Sequence, residues 1–112
     1  MVKNKLMLLV VGVLALITLA EMVMAADANS TSCGTVNGNI DLTANVTSSD
    51  TCFTINASNI VIDCHGYQIN FSQLTAGSAV YNYNGFNNVT VKNCNIVVGD
   101  PTKTDIMAID FS

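Results

Sequence analysis

The feature that most constrains the fold of this chain is a set of short apolar pairs that recurs at one spacing. In each pair, two apolar residues stand two positions apart, which is the period of a β-strand with one buried face. The pairs form three families that keep the same order along the chain, with equivalent positions about 27–29 apart. They are Ile40/Leu42, Ile69/Phe71 and Ile96/Val98; Phe53/Ile55, Tyr81/Tyr83 and Ile109/Phe111; and Ile60/Ile62 and Val89/Val91.

Three interleaved families at one period predict a coil with three sides. Stacked coils place each strand beside its equivalent, about 4.8 Å away, so each family forms a parallel sheet. We therefore expect an all-β parallel β-helix of about two and a half to three coils, with the apolar pairs inside. The residues between the pairs should form three outer faces: Asp41, Asn70 and Val97; Thr54, Asn82 and Asp110; and Val61 and Thr90, with Asp63 and Lys92 just beyond.

The bends between strands are rich in asparagine. Asn59 and Asn88 precede equivalent strands, and Asn56 and Asn84 follow equivalent strands. Asparagine tolerates left-handed backbone conformations and bonds its own main chain, so stacked asparagines suit a repeated corner.

The same stretches carry a family resemblance. CFTINASNIVIDCHGYQI (52–69) and NNVTVKNCNIVVG (87–99) resemble the right-handed parallel β-helix repeats of microbial surface proteins with the pectin-lyase-like fold. That superfamily includes polysaccharide lyases, polygalacturonases and the periplasmic protein of nitrous-oxide-reductase copper maturation. The resemblance covers roughly residues 33–112 and implies a right-handed solenoid. It implies little about activity, because one solenoid hosts many functions.

The segment 1–25 differs in kind from the rest of the chain. Lys3 and Lys5 precede an apolar run over 6–20, and small Ala25 precedes Ala26, which is the layout of a secretory signal peptide cleaved after Ala25. The alternative is an uncleaved anchor, but a helix over that run spans about 22 Å, short of the roughly 30 Å hydrocarbon core.

The rest of the chain divides into a lead-in and the coils. We assign 26–39 to an N-terminal lead-in segment and 40–112 to the β-helix coils. The pattern stops just after the last strand of one family, so we expect the N-terminal part of a longer β-helix. Its open last coil would leave unpaired backbone groups that invite another chain.

The part of the chain over 26–112 is acidic, with seven aspartates, two lysines and no arginine, which gives a formal charge of −5. Two lysines cannot replace the counterions of a phosphate backbone, so nucleic-acid binding is excluded. The composition points instead to an extracellular surface, with secretion or attachment to the cell surface.

All four cysteines follow the signal segment, and an even count in an exported chain predicts disulfides, with three connectivities open. The cysteines are widely spaced and lack the tight pairs of a zinc site, so we expect no metal. We predict Cys33–Cys52, which would staple the lead-in to the first coil, and Cys64–Cys94, which lie near equivalent positions of one corner.

Five Asn-x-Ser/Thr motifs are candidates for N-glycosylation. The alternative is that these asparagines serve only as turn residues. They are Asn29, Asn45, Asn56, Asn70 and Asn88.

No convincing catalytic set emerges. Asp63 and Lys92 follow equivalent strands and should lie on neighbouring rungs, where an acid beside a base could serve lyase chemistry. The lyases that the chain resembles add calcium-binding carboxylates and often an arginine, which are missing, so we expect a surface ion pair. His65, in Cys64-His65-Gly66, lacks the paired aspartates of polygalacturonases and is interpreted as a corner residue.

The remaining candidates are weaker still. Asp100, Asp105 and Asp110 fall on a loop and the final strand and do not form the facing pair that glycoside hydrolysis requires. Met107 should face the core, and four of the five methionines lie in the signal segment, so no copper site is expected. Tyr81 and Tyr83 would suit sugar stacking if they pointed outward, but their spacing predicts burial.

The sequence thus predicts a secreted or cell-surface β-helix module with a structural, adhesive or carbohydrate-contacting role and no cofactor or catalytic site of its own. Expected partners are a cell-surface polysaccharide or another β-helix chain at the open last coil, and a membrane only if the signal is uncleaved. The alternative is an N-terminal fragment of a polysaccharide lyase or glycosidase whose active site lies in further coils.

Overall fold

The computed structural model describes residues 28–111, which form eleven short strands and no helix. The predicted signal peptide, 1–25, lies outside the described residues. Within them, no helix is long and apolar enough to cross a membrane. The strands are β1 (Ala28–Ser30), β2 (Gly34–Val36), β3 (Ile40–Leu42), β4 (Val46–Thr47), β5 (Phe53–Ile55), β6 (Ile60–Asp63), β7 (Gln68–Phe71), β8 (Ser78–Tyr81), β9 (Val89–Lys92), β10 (Asn95–Val98) and β11 (Met107–Asp110).

The strands form three sheets, and every strand pairing in the described part of the chain is parallel. Sheet 1 has the order β1-β3-β6-β9, sheet 2 the order β2-β5-β8-β11, and sheet 3 the order β4-β7-β10. From β2 onward the chain visits sheets 2, 1 and 3 in that rotation without exception. Parallel neighbours need a crossover, and here the strands of the other two sheets provide it. This all-β topology is compatible with the predicted parallel β-helix.

The centre of the core is built from one apolar pair in each of three consecutive strands. Strands β5, β6 and β7 each bury two side chains and turn the residue between them outward. Of these side chains, Ile62 and Ile69 are completely buried. The six residues are Phe53, Ile55, Ile60, Ile62, Ile69 and Phe71, none of them more than 2% exposed. The inward direction predicted for these three pairs is confirmed.

Two of the predicted alignments between coils are also present in the structure. In sheet 3, Ile69 lies beside Ile96 and Phe71 beside Val98. In sheet 1, β6 pairs with β9 in the predicted register, and Ile62 lies beside Val91.

The alignment of the first apolar pair was wrong. Ile40 aligns with Ile62 in sheet 1, and Val46 takes the place beside Ile69 in sheet 3. Asp41 accordingly lies beside Asp63 and does not share a face with Asn70. The aligned residues here are closer in sequence, 22 positions for Ile40 and Ile62 and 23 for Val46 and Ile69, than the 29 that separate Ile62 from Val91, so a single fixed period misplaces this strand.

The register of β8 was wrong by one position. Phe53 aligns with Val80, and Thr54 aligns with Tyr81. A slip of one position turns every side chain to the opposite face of a sheet. Tyr81 is therefore on the outside, and Asn82, predicted on the outer face, is only 4% exposed.

The buried amide of Asn82 is satisfied by one backbone neighbour. Its side-chain nitrogen donates to the Phe86 carbonyl at 2.8 Å, and its side-chain oxygen accepts from the Phe86 amide at 3.0 Å.

Met107, predicted in the core, is 51% exposed, because β11 is the outermost strand of sheet 2.

Asparagine forms the corner before sheet 1, as predicted. Asn59 and Asn88 both have positive φ, 59° and 57°, and Asn88 Nδ2 donates to Asn59 Oδ1 at 3.0 Å. His65 lies in the corner after β6 with φ 48°, followed by Gly66 with φ 87°. A left-handed pair of this kind closes the turn most readily when its second residue is glycine.

The disulfides connect the predicted pairs. Cys33 is bonded to Cys52, with their Cα atoms 4.6 Å apart, and Cys64 to Cys94, with their Cα atoms 4.8 Å apart. The first bond joins the residues that precede β2 and β5. The second joins the corners that follow β6 and β9. Part of the expected lead-in, 28–36, contributes β1 and β2 to the sheets.

Candidate functional site

The outer face of sheet 1 gathers charged side chains from three adjacent strands. Asp41 in β3 lies beside Asp63 in β6, and Asp63 lies beside Lys92 in β9. The corner residue His65 folds back over them, so that its Nε2 is 2.7 Å from Asp41 Oδ1. We call these four residues the acidic cluster. The two aspartates and the lysine border a shallow groove of about 220 Å³.

The Asp63 carboxylate is held in its ionised form. The backbone N–H of His65 donates to its Oδ1 at 3.0 Å, and Asn93 Nδ2 donates to the same atom at 3.0 Å. These two hydrogen bonds, with smaller contributions from the charges of His65 and Lys92, lower the pKa of Asp63 below its ordinary value. A carboxyl whose pKa is lowered in this way is a poor proton acceptor and is not a general acid at neutral pH.

Asp63 and Lys92 are neighbours, as the sequence predicts, and their contact fits a surface ion pair better than a catalytic pair. Lys92 is half exposed, and its Nζ is 3.6 Å from Asp63 Oδ2. Ion pairs of this kind contribute at most about 1 kcal/mol to folding stability. The pair orders the rung between β6 and β9.

Asp41, Asp63 and His65 place three metal-ligand atoms within 4.8 Å of one another. The sequence did not indicate this grouping, because the fixed period put Asp41 on a different face. Asp63 Oδ1 already accepts two protein hydrogen bonds, and the Lys92 cation lies beside the same carboxylate. The arrangement therefore forms a hydrogen-bonded network that fixes the corner at His65, and we assign no metal to it.

The other aspartate candidates lie on separate elements. Asp100 accepts hydrogen bonds from the hydroxyl and the N–H of Thr102, and these lower its pKa. Its carboxylate also lies 3.5 Å from Lys103 Nζ, so it stabilises its own loop. Asp105 is in the loop before β11 with φ 62°, and Asp110 is in β11 beside Tyr81.

Two tyrosines on the outer face of sheet 2 form a second candidate site. The prediction that they are buried was wrong: Tyr83 is 68% exposed, and Tyr81 is partly exposed. Their ring centroids are 5.9 Å apart, and the ring planes differ by 16°. The sequence signal for this was available in Val80, which supplies an alternative buried phase one position before Tyr81.

The candidate glycosylation sites lie at the surface, apart from one. Asn29, Asn45, Asn56 and Asn88 are exposed, and Asn70 is half-buried. The side-chain nitrogens of Asn56 and Asn88 donate hydrogen bonds to Asn37 and Asn59, which lie 19 and 29 positions earlier in the chain. The amides of these two asparagines therefore have a structural role, and modification of any of the five stays a prediction.

Comparison of the chain with family models, with curated proteins and with solved structures gave no match.

Proposed function

We propose that this protein is a secreted or cell-surface module, a right-handed parallel β-helix of the pectin-lyase-like kind. Its role is structural, adhesive or carbohydrate-contacting, without a catalytic site of its own. The observation that carries the proposal is the rotation of the chain through three parallel sheets around one apolar core. Successive strands of one sheet are joined by crossovers, and crossovers between parallel strands are almost always right-handed.

Three observations support an extracellular location. The described part of the chain holds two disulfides, which persist in oxidising compartments and are rare in the cytosol. The pattern over 1–25 is that of a secretory signal peptide. The net negative charge of the remaining chain also suits a solvated cell surface.

The outer faces favour contact with a ligand over chemistry on it. The acidic cluster engages its own carboxylates in hydrogen bonds, and Asp63 has a lowered pKa. Threonine, asparagine and tyrosine on the outer face of sheet 2 offer hydroxyl, amide and ring surfaces, which are groups that contact sugars. Partners are accordingly a surface polysaccharide or another β-helix chain at the strands β9, β10 and β11.

The location is tested with the full chain carrying a C-terminal epitope tag. We expect the tag in the medium or the cell envelope, on a chain whose mass matches a start at Ala26. We also expect the four cysteines to react with a thiol reagent only after reduction. The matched control carries Leu8→Arg and Leu9→Arg, which interrupt the apolar run and should retain the chain in the cytoplasm. A tagged wild-type chain found in the cytoplasm with 1–25 intact and free thiols would contradict the proposal.

The enzyme alternative has its own assay. The secreted chain is incubated with polygalacturonate and Ca²⁺, and the absorbance of unsaturated products is followed. We expect no product. Product formation that is lost in Asp63→Asn would replace the structural role with lyase chemistry.

A further inference from the structure

We infer that the exposed pair of Tyr81 and Tyr83 is a stacking platform for a neutral glycan. The inference rests on the proposed role as a carbohydrate-contacting surface module, and it names the site and the class of ligand.

The offset between the two rings leaves part of each ring uncovered by the other. Tyr81 ends β8 and Tyr83 lies in the turn just after it, and the contact between their rings places both on the same side of sheet 2. A centroid separation of 5.9 Å with planes 16° apart is an offset arrangement, since rings stacked in full face contact would be about 3.5–4.0 Å apart. With Tyr83 68% exposed, the pair forms a nearly parallel aromatic surface.

The preceding coils show that the sheet does not need aromatic rings at these positions. Tyr81 aligns with Thr54 in β5, and Thr54 aligns with Thr35 in β2. Asn56 stands two positions beyond Thr54, just as Tyr83 stands two positions beyond Tyr81. Short polar side chains thus occupy the equivalent positions in the neighbouring strands of sheet 2. The two rings have these short residues as neighbours, so a flat ligand can reach them.

The chemistry of this surface selects a sugar ring. A pyranose has a face of C–H groups that packs on an aromatic face, and hydroxyl groups around its edge that need hydrogen-bond partners. The phenol hydroxyls, the Thr54 hydroxyl and the Asn56 carboxamide can supply such partners around the rings. Because the two ring centroids are 5.9 Å apart, the pair suits two consecutive sugars of a linear chain.

The charge of the surface selects a neutral glycan over an acidic one. Asp110 aligns directly with Tyr81 in the neighbouring strand β11. The chain beyond Ala25 holds seven aspartates against two lysines. A polyuronate would bring carboxylates to an already negative surface, where like charges repel. A small cation would be attracted by the rings and the aspartate, but its capture requires a cage of several aromatic faces, and this pair is open to solvent.

The inference is tested by calorimetric titration of the full chain recovered from the medium. The probes are three neutral hexasaccharides, namely cellohexaose, laminarihexaose and chitohexaose, with oligogalacturonate and choline as charged comparisons. The variant carries Tyr81→Thr and Tyr83→Asn, which install the residues of the preceding coil and so preserve the fold. Tyr67→Asn changes another exposed tyrosine, on the turn after β6, and is the matched control. Tyr81→Phe with Tyr83→Phe keeps both ring faces.

We expect wild type to bind at least one neutral hexasaccharide, and the threonine/asparagine variant to bind it at least about tenfold more weakly. The Tyr67 control should be unchanged, and the phenylalanine variant should stay within about threefold, because the faces are retained. Saturation-transfer NMR on the wild-type chain should show sugar C–H protons next to tyrosine ring protons, a result that does not depend on how any variant folds.

Three results would overturn the inference: no binding of any neutral hexasaccharide, binding that the double substitution leaves unchanged, or preference for oligogalacturonate or choline. A cytoplasmic location would instead contradict the proposed function, and it would not change the glycan affinity that the titration measures. The failures of the two proposals are therefore distinguishable.

Discussion

The disulfide between Cys64 and Cys94 offers the most direct test of how this small fold is stabilised. The change is Cys64→Ala with Cys94→Ala, which opens a loop with a sequence separation of 30. In the chain-entropy model, a loop of that length restricts the unfolded chain enough to contribute about 3.6 kcal/mol at 25 °C. The same treatment gives about 3.2 kcal/mol for the Cys33–Cys52 loop, whose separation is 19.

The second disulfide is a matched control for the first. Each bond joins one buried cysteine, Cys64 or Cys52, to one partly buried cysteine, Cys94 or Cys33. Truncation to alanine therefore removes similar packing in both cases, and the difference between the two variants isolates loop length. The two loops do not overlap in sequence, so their contributions should add. Removing both bonds would cost about 7 kcal/mol, which is comparable to the whole stability of a small domain.

The assay is urea unfolding followed by far-UV circular dichroism. We expect each double alanine variant to lose at least about 3 kcal/mol of unfolding free energy, with a larger m-value, because the unfolded chain exposes more surface when it is not cross-linked. A loss below about 1 kcal/mol for the Cys64/Cys94 variant would refute the reasoning, since it would mean that the bond constrains the unfolded chain very little.

Three further outcomes follow from the core, the acidic cluster and the corners. Ile62→Ala should lower the free energy of unfolding, measured in urea, by about 2–5 kcal/mol. Ile109 is 42% exposed, so Ile109→Ala should lower it by less than about 1 kcal/mol. Equal losses would contradict the assigned core. The pKa of Asp63 is lower in the folded state than in the unfolded state, so the ionised carboxylate stabilises the fold at pH values above the unfolded pKa, near 3.8. This stabilisation is lost as the pH falls through the folded pKa. Asp63→Asn should flatten thermal stability against pH below about pH 4, and an unchanged profile would show that the carboxylate is not coupled to folding. Gly77→Ala should lower the melting temperature strongly, because a Cβ at this position would overlap neighbouring backbone. Gly34→Ala is the control and should have little effect, because a Cβ there meets open space. Equal melting temperatures would contradict the close approach at Gly77.

The middle of the chain could be predicted well because local pattern and repeat spacing agree there. Over 60–71, apolar residues alternate within each strand, Asn59 precedes the first of them, and the alignment with the next strand of each sheet follows the common period. Alternation determines which side chains face inward once the phase of a strand is known. The sequence allows two phases for β8, one with Val80 facing the core and one with Tyr81 facing the core. Tyrosine is amphipathic and suits either position, so the sequence does not distinguish the two phases. The contacts of the neighbouring strands then decide the phase.

The early coils could not be predicted from the period. The sequence separation between aligned strands is shorter at β3 than later in the chain. Ile40 aligns with Ile62, 22 positions on, whereas Ile62 aligns with Val91, 29 positions on. Backbone hydrogen bonding between adjacent strands sets this alignment, and it tolerates loops of different length at the corners. The sequence placed Asp63 beside Lys92 but missed Asp41 in the acidic cluster for the same reason, because Asp41 reaches Asp63 and His65 only in the shorter alignment of β3 with β6.

Side-chain period and recurring positions were enough to predict the all-β composition and the rotation among three families of strands, whereas the choice among three disulfide connectivities is fixed by the structure. Tertiary structure decided the register of β3 and β8, and with it which side chains meet. That choice placed Asp41 beside Asp63 and turned Tyr81 outward beside Tyr83. The physical reason is that a strand has two faces and several admissible partners, and only the hydrogen bonds and packing of adjacent strands distinguish between them.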